Sequence, residues 1–146
     1  MPPTLPTNPL EILLKHWKKE GYRMTRVRES LLDLFLTVKA PLSIEEAQAR
    51  LKRRKIPANT STVYREMDFL QNEGALKEVL LEDGKRRFEW ALGEHHHHLY
   101  CQNCESIEDI EMDNELQELE RSIQKKKNFK ISSHTLEFSG LCSKCL

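Results

Sequence analysis

No stretch of this 146-residue sequence approaches 18 consecutive apolar residues, which excludes a membrane-spanning helix of ordinary length. The first residues, MPPTLPTNPLEILLK, lack a basic segment followed by a long apolar run, so no secretory signal is expected. Net charge is absent too, because 23 Lys and Arg balance 23 Asp and Glu. There is no internal repeat, and no low-complexity segment apart from one histidine run. Cysteine is confined to four positions. Without an export signal the expected setting is the reducing cytoplasm, where paired cysteines are metal ligands more often than disulfides.

What is present centres on His95-His96-His97-His98-Leu99-Tyr100-Cys101-Gln102-Asn103-Cys104. Four histidines run into one Cys-x-x-Cys pair, and Cys142 and Cys145 form a second pair near the C-terminus. Two such knuckles have the ligand number and softness for a closed tetrahedral Zn2+ site made of thiolates. A pair of disulfides, with three possible connectivities, is the alternative. If His95–Cys101 is a strand, alternation sends His96 and His98 to one face and His95 and His97 to the other. Each pair is half of a metal site, or simply a row of solvated histidines; an affinity tag is discounted because the run is internal and leads straight into a knuckle.

The zero net charge hides an asymmetry. Residues 1–75 carry 13 Lys and Arg against 9 Asp and Glu, a net +4; residues 76–146 carry 10 against 14, a net −4. A basic first half suits a polyanion, and an acidic, histidine-rich second half suits divalent cations. After a Pro/Thr-rich arm over residues 1–8, Asn8-Pro9 opens a helix through Trp17 to Gly21, and Thr25 caps a second through Val38. Ser43 with Glu46 is a capping box for a third helix ending near Arg54. A fourth starts at Asn59-Thr60 and reaches Gly74, with Val63, Met67 and Leu70 inward and Ser61, Thr62, Tyr64 and Arg65 projecting. Strands follow over Leu76–Glu82 and Lys85–Ala91 around Asp83-Gly84. Helices followed by a two-stranded wing are the order of a winged helix-turn-helix, in which the helix before the wing enters the DNA major groove. Beyond a hinge at Ala91–Glu94, strands are expected at His96–Cys101 and Ser106–Glu111, a helix at Asn114–Lys126, and a last strand at Lys130–Phe138. The fold class is therefore α+β: a winged helix-turn-helix domain over 1–91 and a small α/β domain over 92–146.

Ser61-Thr62-Val63-Tyr64-Arg65, the histidine-knuckle segment, and Gly140-Leu141-Cys142-Ser143-Lys144-Cys145, in this order and spacing, resemble the ferric uptake regulator family of metal-dependent repressors from about Leu10 to Cys145. The resemblance implies a structural zinc on Cys101, Cys104, Cys142 and Cys145. It implies a regulatory Fe2+, Mn2+ or Zn2+ on Glu89, His96, His98 and Asp109, and a second metal site on His95, His97, Glu115 and His134. It implies a homodimer whose second domain is the dimerisation and metal-binding half, and whose winged helices bind an AT-rich inverted repeat of double-stranded operator DNA. Tyr64 would touch a base, while Arg65 and Arg28, with Ser61 and Thr62 nearby, would mostly hold the backbone. Neither a membrane nor a small-molecule substrate is expected as a partner.

Two departures from the family's pattern are visible. Thr37-Val38-Lys39-Ala40-Pro41-Leu42 has no histidine where the family commonly draws a regulatory ligand from the first half. Thr25-Arg26-Val27-Arg28 replaces the usual Pro-Gln after the threonine. A peroxide sensor, in which bound iron oxidises a ligand histidine, would use the same ligand types. A metal-dependent hydrolase with Glu94 or Glu89 as base would leave the helices before the wing without a task. A zinc module that binds protein alone would leave the basic first half and the Tyr64-Arg65 helix unexplained.

Overall fold

The computed structural model describes residues 8–146 and divides them into two compact units. One runs to Leu80 and adds Gly84–Gly93; the other joins Leu81–Asp83 to Glu94–Leu146. The expected N-terminal arm lies, up to Thr7, outside the described residues. Among the described residues no helix is long and apolar enough to cross a membrane.

The first unit is a winged helix. Helices α1 (Pro9–Lys19), α2 (Arg26–Thr37), α3 (Ile44–Arg53) and α4 (Thr60–Asn72) start where the sequence offers caps. The side chains of Asn8, Thr25, Ser43 and Asn59 each accept a bond from a backbone N–H of the first turn, and Ser43 and Glu46 close the reciprocal box. The inward faces meet in one core: Trp17, Leu31, Leu34, Leu51, Val63, Met67 and Leu70 are all buried, with Leu76 and Phe88 from the sheet. The wing is a hairpin of β2 (Leu76–Leu80) and β3 (Arg86–Trp90), turning at Gly84, whose φ of +71° suits glycine. The sequence pattern misses a third strand, β1 (Leu42–Ser43), which pairs antiparallel with β3 and gives the order β1-β3-β2. Two residues beside a proline show no alternation to read, and only the neighbouring Phe88 and Arg87 make them a strand.

The second unit is a three-stranded sheet, order β5-β4-β6, with one helix. Strand β4 (His97–Cys101) is central, antiparallel to β5 (Ile107–Ile110) and parallel to β6 (Glu137–Gly140). Helix α5 (Asp113–Lys127) makes the crossover and ends on Asn128 in the left-handed region. The strand expected at Lys130–Phe138 is corrected here: β6 begins seven residues later, and residues 130–136 form no regular structure. Its register is set by β4, pairing His98 with Glu137 and Cys101 with Gly140.

Parallel pairing decides where the knuckles fall. β4 ends at Cys101 and β6 ends at Gly140, and parallel neighbours finish at the same end of the sheet. Both Cys-x-x-Cys turns therefore open side by side, although 37 residues separate them in the chain.

Candidate metal centres and nucleic-acid interface

Each knuckle is a tight turn closed by its own backbone. The Glu105 N–H donates to the Cys101 carbonyl and the Cys145 N–H to the Cys142 carbonyl, both at 2.9 Å. The four sulfurs lie within 4.8 Å of one another, and the Cys104 and Cys142 sulfurs are 3.6 Å apart. All four cysteines are unbridged. A tetrahedral ion with zinc–sulfur bonds of about 2.3 Å spaces its sulfurs by roughly 3.8 Å, so the set fits such an ion.

The electrostatics of the cage fit as well. Backbone N–H groups of Cys104 and Cys142 bring the Cys101 thiol down to about 6. The Ser106 hydroxyl beside Cys104 lowers that thiol also. At Cys145 the Asn103 side chain pulls downward, but crowding by the thiols of Cys142, Cys104 and Cys101, together with burial, leaves it at about 11. Four thiolates cannot share one place without a cation, and a divalent soft cation removes that conflict.

The histidine run alternates as its sequence implies. The His95 and His97 rings are 4.7 Å apart centre to centre, and the His96 and His98 rings 4.9 Å. On one face, His134 joins the first pair. The Nε2 atoms of His95, His97 and His134 are separated by 3.1, 2.9 and 3.3 Å. Their second nitrogens fix the tautomers: His97 Nδ1 donates to the Leu136 carbonyl at 3.2 Å, and His134 Nδ1 to Glu120 Oε1 at 2.6 Å. Burial, then the neighbouring His95, lowers the His97 pKa, which favours neutral imidazole. The lone pairs of His97 and His134 therefore face inward. Glu115, expected as the acidic ligand, is exposed and outside this group. The carboxylate on this side is Glu120, which lines a depression with Leu116, one helical turn earlier, while Glu115 falls about 100° round the helix from Leu116.

On the other face, His96 Nδ1 donates to the Glu94 carbonyl at 2.9 Å, leaving Nε2 as the ligand atom. The Nε2 atoms of His96 and His98 both lie 3.9 Å from Asp109 Oδ1, and Asp109 is the cross-strand neighbour of His98. Two imidazoles and a carboxylate make an N/O set suited to Fe2+, Mn2+ or Zn2+. In the first unit, Glu89 sits on β3 with 4% of its surface exposed and takes the Lys77 ammonium at 3.2 Å.

The outer face of α4 carries Ser61, Tyr64 and Arg65 exposed, with Thr62 half-buried. The Tyr64 hydroxyl accepts from Arg86 of β3. Arg28, expected among the residues that hold the DNA backbone, is engaged within the protein. Its guanidinium donates twice to the Glu66 carboxylate, at 2.7 and 3.3 Å, and once to the Arg23 carbonyl, and lies 3.7 Å over the Phe69 ring. With only 12% of its side chain exposed, it braces α2 against α4. Arg86 is the residue the sequence reading missed. Nothing in its local pattern marks it, since its neighbours on α4 come from 15 to 22 residues away.

Comparison with known proteins bears on these groups together. The profile described as the Ferric uptake regulator family matches residues 19–139. The chain is 30% identical over 129 residues to the ferric uptake regulation protein of Neisseria meningitidis, covering 88% of this chain and 89% of that protein. It is 28% identical over 136 residues to the peroxide operon regulator of Bacillus subtilis, covering 93% and 92%. Among solved structures, the Helicobacter pylori ferric uptake regulator, described with three functional metal-binding sites, superposes with a TM-score of 0.82 at 29% identity, covering 93% of this chain and 90% of that one. Winged helix, paired knuckles and alternating histidines thus occur here in a chain that belongs to the ferric uptake regulator family.

Proposed function

We propose that this protein is a cytoplasmic, homodimeric, metal-responsive repressor that binds an AT-rich inverted repeat of operator DNA. The observation that carries the reading is the exposed Ser61–Tyr64–Arg65 face of α4 in a winged helix whose companion unit concentrates metal ligands. In this reading residues 1–91 are the DNA-binding domain and 92–146 the dimerisation and metal-binding domain. Cys101, Cys104, Cys142 and Cys145 hold structural zinc, and His96, His98 and Asp109 hold the regulatory ion. Glu89, buried at the end of the wing, is the acidic ligand contributed by the DNA-binding half, and with no histidine in Thr37–Leu42 the coupling of metal to that half rests on it. The homodimer is supported by apolar surface on the second unit: Leu119, Ile123, Phe129 and Phe138 are 39–62% exposed.

Metal on the regulatory ligands favours the dimer shape that spaces two α4 helices for successive major grooves. Tyr64 reads a base, and Arg65 holds phosphate. Gel-shift on operator DNA with and without Fe2+, Mn2+ or Zn2+ tests this. Equal operator binding after removal of every metal except the knuckle zinc would refute it.

The similarity to the peroxide operon regulator favours one second reading, in which iron on the same ligands oxidises a histidine. Mass spectrometry of His96 and His98 after iron and peroxide treatment separates the two.

A further inference from the structure

We propose that the His95–His97–His134 group is a three-histidine centre whose fourth coordination position belongs to water or a small exogenous anion, with Glu120 as the positioning residue that aims His134. The inference rests on the reading of this group as a metal site and specifies its ligands. It differs from the expected four-ligand set, in which Glu115 closes the shell.

Three observations carry it. First, the Nε2 separations of 2.9–3.3 Å lie within about 0.4 Å of the edge of a tetrahedron around an ion with metal–nitrogen bonds of about 2.0–2.1 Å, roughly 3.3 Å. The Nε2 atoms of His97 and His134 both present lone pairs, because their Nδ1 protons are committed to Leu136 and Glu120, and with no cation between them only the single Nε2–H of His95 is there to answer both. Second, no carboxylate belongs to this group of ligand atoms among the described residues. Glu120 is engaged on the far nitrogen of His134, the position from which a carboxylate fixes tautomer and raises ligand basicity. Third, the depression beside the imidazoles is open, and is lined by Leu116, Gln117, Ile131, Ser132 and Ser133 along with His95, Glu120 and His134.

The charge balance names the class of ligand. Three neutral imidazoles leave a divalent ion its full charge, and among the described residues Glu120 is the one carboxylate lining the depression. The net positive centre selects a monodentate anion, and Gln117, Ser132 and Ser133 on the wall carry donor groups. Three nitrogens and an open position suit a four-coordinate Zn2+ or Co2+ better than an ion that demands six oxygen ligands.

Co2+ is the probe, added to the full-length protein with its knuckles preloaded with Zn2+. A His96→Ala, His98→Ala background removes the other imidazole pair. The expected result is one further Co2+ per chain with the intense visible band of a four-coordinate ion, shifted by azide. Glu120→Ala lowers Co2+ affinity by about 10- to 100-fold with unchanged circular dichroism, Glu120→Gln lowers it less, and Glu115→Gln leaves it within about twofold. A weak six-coordinate spectrum, indifference to azide, or a loss in Glu115→Gln equal to that in Glu120→Ala overturns the three-histidine assignment while leaving a metal site in place. Failure to bind any Co2+ beyond the knuckles overturns the site itself.

Discussion

Arg86 on the wing strand donates from Nη1 to the hydroxyl of Tyr64 on α4, at 2.8 Å. The same guanidinium reaches Glu78 at 3.0 Å, Gln71 at 3.3 Å and Asp68 at 3.7 Å. Its charge is thus answered within the protein, and the Tyr64 oxygen is fixed as an acceptor with its own proton left to donate. Arg86→Ala is expected to weaken specific operator binding by about 1 kcal/mol, the worth of one hydrogen bond, with little change in the salt dependence. Tyr64→Ala should cost specific binding more than binding to random duplex. Titrations on both DNAs at several salt concentrations check this; a salt slope reduced by about one in Arg86→Ala would make Arg86 a phosphate ligand instead.

Arg28 and Arg65 should separate in the opposite sense. Arg65 is exposed on α4, so Arg65→Ala lowers affinity for all duplexes and the salt slope by about one. Arg28→Ala removes a largely buried bidentate pair and the cover over Phe69, and is expected to destabilise the first unit by about 1–3 kcal/mol. Arg28→Lys does not restore it, because an ammonium cannot reproduce the fork on Glu66. Urea unfolding of the three variants decides the matter.

For the knuckles, Cys101→Ser or Cys142→Ser is expected to lose about one zinc per chain and to loosen the second unit. Zinc binding displaces protons, so affinity rises with pH until the thiols are ionised. With Cys101 at about 6 and Cys145 at about 11, near pH 7 the former is already largely thiolate and the latter still holds its proton. Calorimetry in buffers of different ionisation heat should therefore find about three protons released per zinc or fewer, rather than four.

The two histidine faces should divide switching from stability. His96→Ala or Glu89→Ala abolishes metal-dependent operator binding while the knuckle zinc and the dimer persist. His97→Ala or His134→Ala lowers the melting temperature of the metal-loaded protein more than it affects the response, because its partners, Leu136 and Glu120, belong to the second unit. Metal titrations and thermal melts on both sets check this, and a silent response in the second set with a normal one in the first reverses the assignment.

The parts legible in advance were those with local signals. Asn8, Thr25, Ser43 and Asn59 announce helix starts by their own chemistry, and two-residue alternation alone separates His96 and His98 from His95 and His97. The knuckle spacing needed only counting. What escaped depended on partners distant in sequence. The start of β6 follows from the length of β4, which pairs with it from His98 onward. That Glu120 lines the depression beside His134 follows from the phase at which α5 meets that segment. Arg28 reads as a free cation until Glu66, 38 residues away, is seen to hold it.

The parallel pairing of β4 and β6 also governs how fast an ion could leave the thiolates. Each strand delivers two sulfurs, and Cys142 N–H donates to Cys101 Sγ at 3.3 Å, so a ligand from one strand is held by backbone from the other. That cross-strand hold predicts that release of the ion waits on the strands parting, an event of local opening, rather than on ligand-by-ligand dissociation. Loss of zinc to a chelator should then reach a ceiling rate that no further chelator accelerates, and that ceiling is the opening rate of β6. The residence time of the metal becomes a clock for the strand.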